Sequence, residues 1–200
     1  MALYLLRHGQ THFDLEQRIE GSGDNPLTSL GRDQARAMGA KLRGMLETAE
    51  GGDADYEIIC SPQPRAYDSA LLVREAWGID RPVITDARLV ELGCGSWEKH
   101  HFASIQARDP LVEDEPTFLA AWAHHCVDGE GLDEAVERLW GWLRWAGNRK
   151  LVVVGHGLAG SMLRALYVGE GRDDMLKYEA IMPGHFHRLE NGWAEEIAVV

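Results

Sequence analysis

The sequence predicts an α/β fold: a three-layer sandwich in which a mainly parallel central sheet lies between helices, closed by a C-terminal antiparallel hairpin. Three observations carry this. Short apolar runs alternate along the 200 residues with segments of helical periodicity, the pattern of strands crossed over by helices. Two of the runs, ALYLL and KLVVVG, are apolar without alternation, as in strands buried on both faces. Asn191 and Gly192 separate two strand-like runs at the end of the chain and supply the positive φ angles of a type I′ turn.

The elements follow in order. Residues 2–6 form the first strand, ended by Arg7. Over residues 31–49, Ala35, Met38, Leu42, Met45, Leu46 and Ala49 recur at intervals suited to one helical face. A strand is expected at 56–60, a helix at 64–77 and a short strand at 82–85. A helix at 132–146 presents Leu132, Ala135, Val136, Leu139 and Leu143 on one face. Trp140, Trp142 and Trp145 in the same stretch are expected in the core or at an interface. The clearest strand, 150–155, runs into a helix at 158–167. Strands at 185–190 and 193–200 form the closing hairpin. Residues 99–128, with Pro110, Pro116 and an acidic run, fit the alternation least and read as a helical insertion. Against a prior of roughly 150 residues per domain, and without repeats or linkers, 1–200 reads as one domain.

Twenty Lys and Arg against 32 Asp and Glu give a formal charge of −12. That excludes a general nucleic-acid binder or a partner of anionic membranes, both of which need a broad cationic surface. No stretch approaches the ~18 apolar residues of a membrane span. Cys60, Cys94 and Cys126 are odd in number and widely spaced, which suits a reducing compartment and argues against a disulfide scaffold or a zinc knuckle. Cytoplasm is the expected location.

Ligands of such sheets bind beyond the carboxyl ends of the strands. There the sequence places Arg7, His8 and Gly9, then Ser61 to Arg65, then His156 and Gly157. Two arginines and two histidines thus converge on one edge. Arginine offers a planar fork of donors matched to phosphate oxygens, and neutral histidine is a nucleophile near pH 7. Glycine after each histidine is expected to let a ligand approach the backbone. The paired histidines His100/His101, His124/His125 and His185/His187 are expected at the surface or a pocket rim: adjacent helical residues face apart, and His185 and His187, though they share a strand face, are only two ligands and make a poor metal site. Cys60 and Cys94 are read as buried or bystander thiols.

The string LLRHGQT resembles the signature of the histidine phosphatase superfamily, also called phosphoglycerate mutase-like. Further stretches resemble its motifs in the family's order: DNPLTSLGRDQA, SPQPRAYDSA, RLVELGCGSWE, DGEGLDEAVERL and VVVGHG. The resemblance implies that His8 attacks phosphorus and becomes transiently phosphorylated. It implies that Arg7, Arg65 and His156 hold the phosphoryl oxygens and that Glu91 is the general acid and base. Asp14, Glu20, Gly157 and Leu158 would line the pocket. No metal or cofactor is implied, and the partner would be a small phosphorylated metabolite. Phosphoryl transfer of the mutase type, or a catalytically impaired binding protein on the same fold, are the alternatives.

Two departures bear on that choice. Where the family commonly has Asn and Gln, this chain has Asp14 and Glu20, acceptors in place of donors. A carboxylate ~4 Å from one phosphate charge costs on the order of 4 kcal/mol at an effective dielectric of 20. Asp14 is therefore expected to be turned away and paired with an arginine, protonated beside the phosphate, or matched to a substrate with a cationic group. Lys99 stands where glycine often follows the family's WE, and Gly155 where a small hydroxyl residue is common. Substrate choice is expected to reside in 99–128 and the pocket rim.

Overall fold

The computed structural model describes residues 2–47, 52 and 54–199. Strands β1 (Ala2–Arg7), β2 (Glu57–Cys60), β3 (Val83–Thr85), β4 (Leu151–Gly155), β5 (His185–Glu190) and β6 (Trp193–Ala198) form one sheet in the order β3-β2-β4-β1-β5-β6. The neighbours β3-β2, β2-β4 and β4-β1 run parallel, and β1-β5 and β5-β6 antiparallel. The closing hairpin turns at Asn191 (φ 52°) and Gly192 (φ 77°), the left-handed pair expected of Asn-Gly. It is more than an appendage, because β5 is laid along β1 from Ala2 opposite Glu190 to Leu6 opposite Phe186.

Both faces of the sheet are covered, which is why β1 and β4 read as unbroken apolar runs. Leu3, Leu5, Leu151 and Val153 face a core with Trp122, Leu139, Trp142 and Met162, from α5 (Phe118–His125), α6 (Leu132–Ala146) and α7 (Leu158–Val168). Tyr4, Leu6, Val152 and Val154 face the other core with Met38, Leu42, Ala70 and Val73, from α2 (Ser29–Glu47) and α3 (Pro64–Trp77).

Most boundaries follow local chemistry. The Thr28 hydroxyl accepts from the Gly31 amide at 3.0 Å, and α2 opens at Ser29, two residues before the expected start at 31. Pro64 sits at the first turn of α3, where its missing N–H costs nothing, and Gly78 at φ 81° ends that helix. Ala49 and Val200, assigned above to a helix and a strand, lie outside the described residues. Within 99–128 the chain forms α4 (Phe102–Gln106), a 3₁₀ turn at Pro110–Val112 and α5. Two helices have no counterpart in the sequence reading, α1 (His12–Glu16) and α8 (Arg172–Met175); at five and four residues they are too short to show a period.

The tryptophans of α6 divide. Trp142 is fully buried, whereas Trp140 and Trp145 are 45% and 39% exposed. Trp145 is flanked by guanidinium groups, Arg88 at 5.2 Å and Arg149 at 4.2 Å from its ring centre. Cys60, Cys94 and Cys126 are free and buried; burial pushes the Cys60 thiol up to about 12 and Cys126 to about 11, so none is a ready nucleophile. Among the described residues no helix is long and apolar enough to cross a membrane.

Candidate active site

The β1-β4-β2 register brings the candidate residues together. Arg7 lies opposite Gly155 and Cys60 opposite Val154. The ladder continues one step past the strands, with the His8 amide on Gly155 O and the Ser61 amide on Val154 O, both at 3.0 Å. His8 and His156 therefore leave adjacent strands side by side, their ring centres 5.2 Å apart and the rings nearly perpendicular.

Both rings are buried. His8 Nδ1 is 2.8 Å from Gly9 O; a carbonyl can only accept, so Nδ1 carries a proton, and Nε2 is the nitrogen that meets Arg65 Nε and Glu20 Oε2. Among the described residues neither ring nitrogen of His156 has a partner. Burial, then Arg65, His8 and Arg7, hold its pKa well below 6.5, so it stands neutral, with one N–H to offer a ligand.

The arginines are engaged by this protein's own groups. Arg7 donates to Ile181 O at 2.8 Å and to Asp14 Oδ1 at 2.5 Å. Asp14 is thus paired with an arginine, but with Arg7 itself and at the lining of the cleft rather than turned away from it. Its Oδ2 accepts from the Thr11 amide at 2.8 Å while the Thr11 hydroxyl accepts from the Asp14 amide, the reciprocal cap of α1. Arg65 is buried and donates to Gly23 O at 2.5 Å, to Gly21 O at 2.8 Å, and through Nε to His8 Nε2 at 3.3 Å.

Glu20 lies at the centre. Its Oε2 is 3.4 Å from His8 Nε2 and 3.3 Å from Arg65 Nε, and its Oε1 accepts from the Thr11 hydroxyl. Burial alone would raise its pKa; contacts with His8, Arg65 and Thr11 outweigh that and hold it at about 2, so it is an anion at neutral pH.

Glu91 bridges the loop after β3 and the start of α7. Oε1 accepts from the Ala159 amide at 2.7 Å and the Leu92 amide at 3.0 Å, and Oε2 from the Leu158 amide at 3.2 Å. It answers the orphan donors of the helix N-terminus and complements its dipole. Gln63 holds the Glu91 amide at 2.8 Å and reaches Gly21 O at 3.2 Å.

A cleft of about 270 Å³ opens over these groups, lined by Arg7, Asp14, Glu20, Glu91, Gly157 and Leu158 together with Phe102, Phe118 and Ala180. His8, Arg65 and His156 lie beneath it, at most 1% exposed. A wider cleft of about 430 Å³, lined by Trp140, Arg144 and Tyr167, lies at the opposite ends of β1 and β4 and contains none of the candidate residues. Sequence reasoning missed Thr11, Gln63 and the carbonyls of Gly21, Gly23 and Ile181. Thr11 carried a signal, a hydroxyl three residues before a carboxylate.

Three expectations need correction. The space beside Gly9 belongs to the fold, since a Cβ there would stand 1.9 Å from Gly31 O. His124 and His125, expected to diverge, both reach Glu115 Oε1, at 2.9 and 3.0 Å, because the carboxylate comes between two rings at the end of α5. His187 is buried rather than superficial; it accepts from Arg164, and burial, then Arg164, lowers its pKa to about 4. Lys99 has a different meaning from the one expected: its φ is 68°, a left-handed turn position that favours glycine.

His8, Asp14 and Glu20 bring ligand atoms within 4.8 Å of one another. That set could hold a divalent cation in principle, but Arg7 and Arg65 already neutralise its two carboxylates, and a metal would have to displace both guanidinium groups.

The model of the histidine phosphatase superfamily (branch 1) matches residues 3–191. A Klebsiella pneumoniae protein named "Probable phosphoglycerate mutase GpmB" is 34% identical over 179 residues, 84% of this chain and 75% of that relative. The Escherichia coli protein of the same name is 31% identical over the same shares. Among solved structures, the open reading frame Rv3214 of Mycobacterium tuberculosis superposes with a TM-score of 0.77 at 25% identity, over 99% of this chain and 96% of that one. Mycobacterial glucosyl-3-phosphoglycerate phosphatase Rv2419c superposes with a TM-score of 0.73 at 29% identity, over 94% and 88%.

Proposed function

The chain belongs to the histidine phosphatase superfamily, and from that premise we propose that it is a metal-independent phosphatase acting on a small phosphorylated metabolite through a phosphohistidine on His8. The observation that carries this reading is the arrangement of the paired rings: His8 is held through Nδ1 on Gly9 O with Nε2 toward Arg65 and Glu20, beside a neutral His156 whose ring nitrogens have no partner among the described residues.

His8 Nε2 attacks phosphorus as the bond to the ester oxygen breaks, and Glu91 gives that oxygen its proton. Arg7, Arg65 and His156 take up the charge spread over the equatorial oxygens, where preorganised donors contribute most. Water then attacks the P–N bond with Glu91 as base, releasing inorganic phosphate and restoring His8. Phe102 and Phe118 at the cleft support a role for residues 99–128 in substrate choice within a single domain. The acidic surface and buried thiols support action in the cytoplasm, without nucleic-acid or membrane partners.

The relatives named as mutases favour a second reading, return of the phosphoryl group to the same molecule. A phosphomonoester panel with His8→Ala as control tests both. Phosphate release that vanishes in the variant supports the phosphatase, release that persists overturns the mechanism, and isomerised product dependent on a bisphosphate primer indicates the mutase.

A further inference from the structure

We propose that Glu20 is an internal occupant of the phosphoryl subsite, so that a substrate's phosphoryl group enters only by exchanging with this carboxylate. The proposal rests on the phosphatase reading for what the site takes.

Geometry carries it. A phosphorus poised for attack stands roughly 3–3.5 Å from the nucleophilic nitrogen, and Glu20 Oε2 already lies 3.4 Å from His8 Nε2. The same oxygen is 3.3 Å from Arg65 Nε, and Oε1 takes the Thr11 hydroxyl. One anion fits among these donors, not two. Charge points the same way. Arg7 is paired with Asp14, Arg65 with Glu20, and Arg18, which lines the same cleft, with Glu16, so among the described residues an incoming dianion meets no uncompensated guanidinium until a carboxylate leaves.

The exit is built in. Glu20 lines the cleft and is followed by Gly21 at φ 54°. Arg65 Nη1 and Nη2 hold the carbonyls of Gly23 and Gly21, so the loop stays clamped while the side chain rotates outward. The departing carboxylate uncovers Arg65 Nε, the Thr11 hydroxyl and His8 Nε2, and the phosphoryl group replaces it there. Glu20 is accordingly a specificity-determining residue: it sets the affinity that a phosphoryl group must reach to open the site.

Titration calorimetry of the wild type, Glu20→Gln and Glu20→Ala with inorganic phosphate and orthovanadate tests this without turnover. Removing one like charge at ~4 Å is expected to tighten phosphate binding in both variants by roughly a hundred- to a thousandfold. KM for p-nitrophenyl phosphate should fall in parallel while kcat changes little, a split that a general loss of structure does not produce. Phosphate affinity equal to or weaker than that of the wild type in both variants overturns the proposal. Tighter phosphate binding without turnover of any ester leaves occupancy standing and removes the phosphatase reading; turnover with unchanged affinity removes occupancy alone.

Discussion

Glu91 serves two ends, and one pair of substitutions separates them. In the fold it receives three amide donors, Leu92, Leu158 and Ala159, at 3.0, 3.2 and 2.7 Å. In the proposed reaction it moves the proton. Glu91→Ala removes both acceptor oxygens and with them all three hydrogen bonds. Hydrogen bonds to a charged group are worth about 1.5–3 kcal/mol each, but the cleft admits water to part of the vacated space, so the expected loss is about 2–4 kcal/mol. Glu91→Gln keeps one oxygen for the Ala159 amide and should cost about 1 kcal/mol. For a chain of this length those losses correspond to roughly 4–16 °C and 2–4 °C in Tm. Catalysis should order differently. Both variants lose the acid, so kcat/KM for an alkyl phosphate, which reports the steps through phosphorylation of His8, should fall by about 10²–10⁴ in each, and much less for p-nitrophenyl phosphate, whose leaving group needs no proton. Urea denaturation and steady-state kinetics on the two substrates read both scales. An alanine variant within 0.5 kcal/mol of wild type refutes the anchoring role. Equal losses of kcat/KM on the two esters, or an unchanged kcat/KM for the alkyl phosphate in Glu91→Gln, refute the acid role.

Other perturbations are expected to behave as follows. Lys99→Gly relieves a left-handed residue and should raise stability by about 1 kcal/mol, measurable by urea denaturation. Gly9→Ala sets a Cβ 1.9 Å from Gly31 O and should abolish activity and lower Tm far more than the ~0.5 kcal/mol of a bland surface change. His187, with a folded pKa of about 4 against an ordinary 6.5, binds its proton more readily when unfolded. Its contribution is complete above pH 6.5 and is lost as pH falls toward 4; His187→Gln should flatten the Tm profile in that window. Glu20, at about 2 against 4.5, contributes above pH 4.5 and loses that contribution as pH falls toward 2, so Glu20→Gln should flatten the more acidic limb.

Legibility in the sequence followed the range of the interactions. Strands β1 and β4 were readable because burial on both faces leaves no polar alternation, and Pro64, Gly78 and Asn191-Gly192 mark boundaries through backbone chemistry that belongs to those residues alone. The pairing of β5 with β1 was not readable, since sheet order joins segments 180 residues apart and leaves no local trace. At the site, the convergence of Arg7, His8, Arg65 and His156 follows from their places at strand ends. The backbone acceptors that hold the arginines, Gly21, Gly23 and Ile181, have no side-chain signature at all. Asp14 and Glu20 were visible as departures. That one caps a helix while the other lies against His8 depended on a turn of five residues, α1, too short to register as a period.

The measurement closest to the central claim is capture of the covalent intermediate. The protein is mixed with a labelled phosphomonoester, quenched in alkali, where a phosphoramidate survives, and its peptides are sequenced by mass spectrometry. Label on His8, absent from His8→Ala and discharged by acid, is the predicted result. Phosphate release without label on His8, or label on another residue that persists in His8→Ala, contradicts the account.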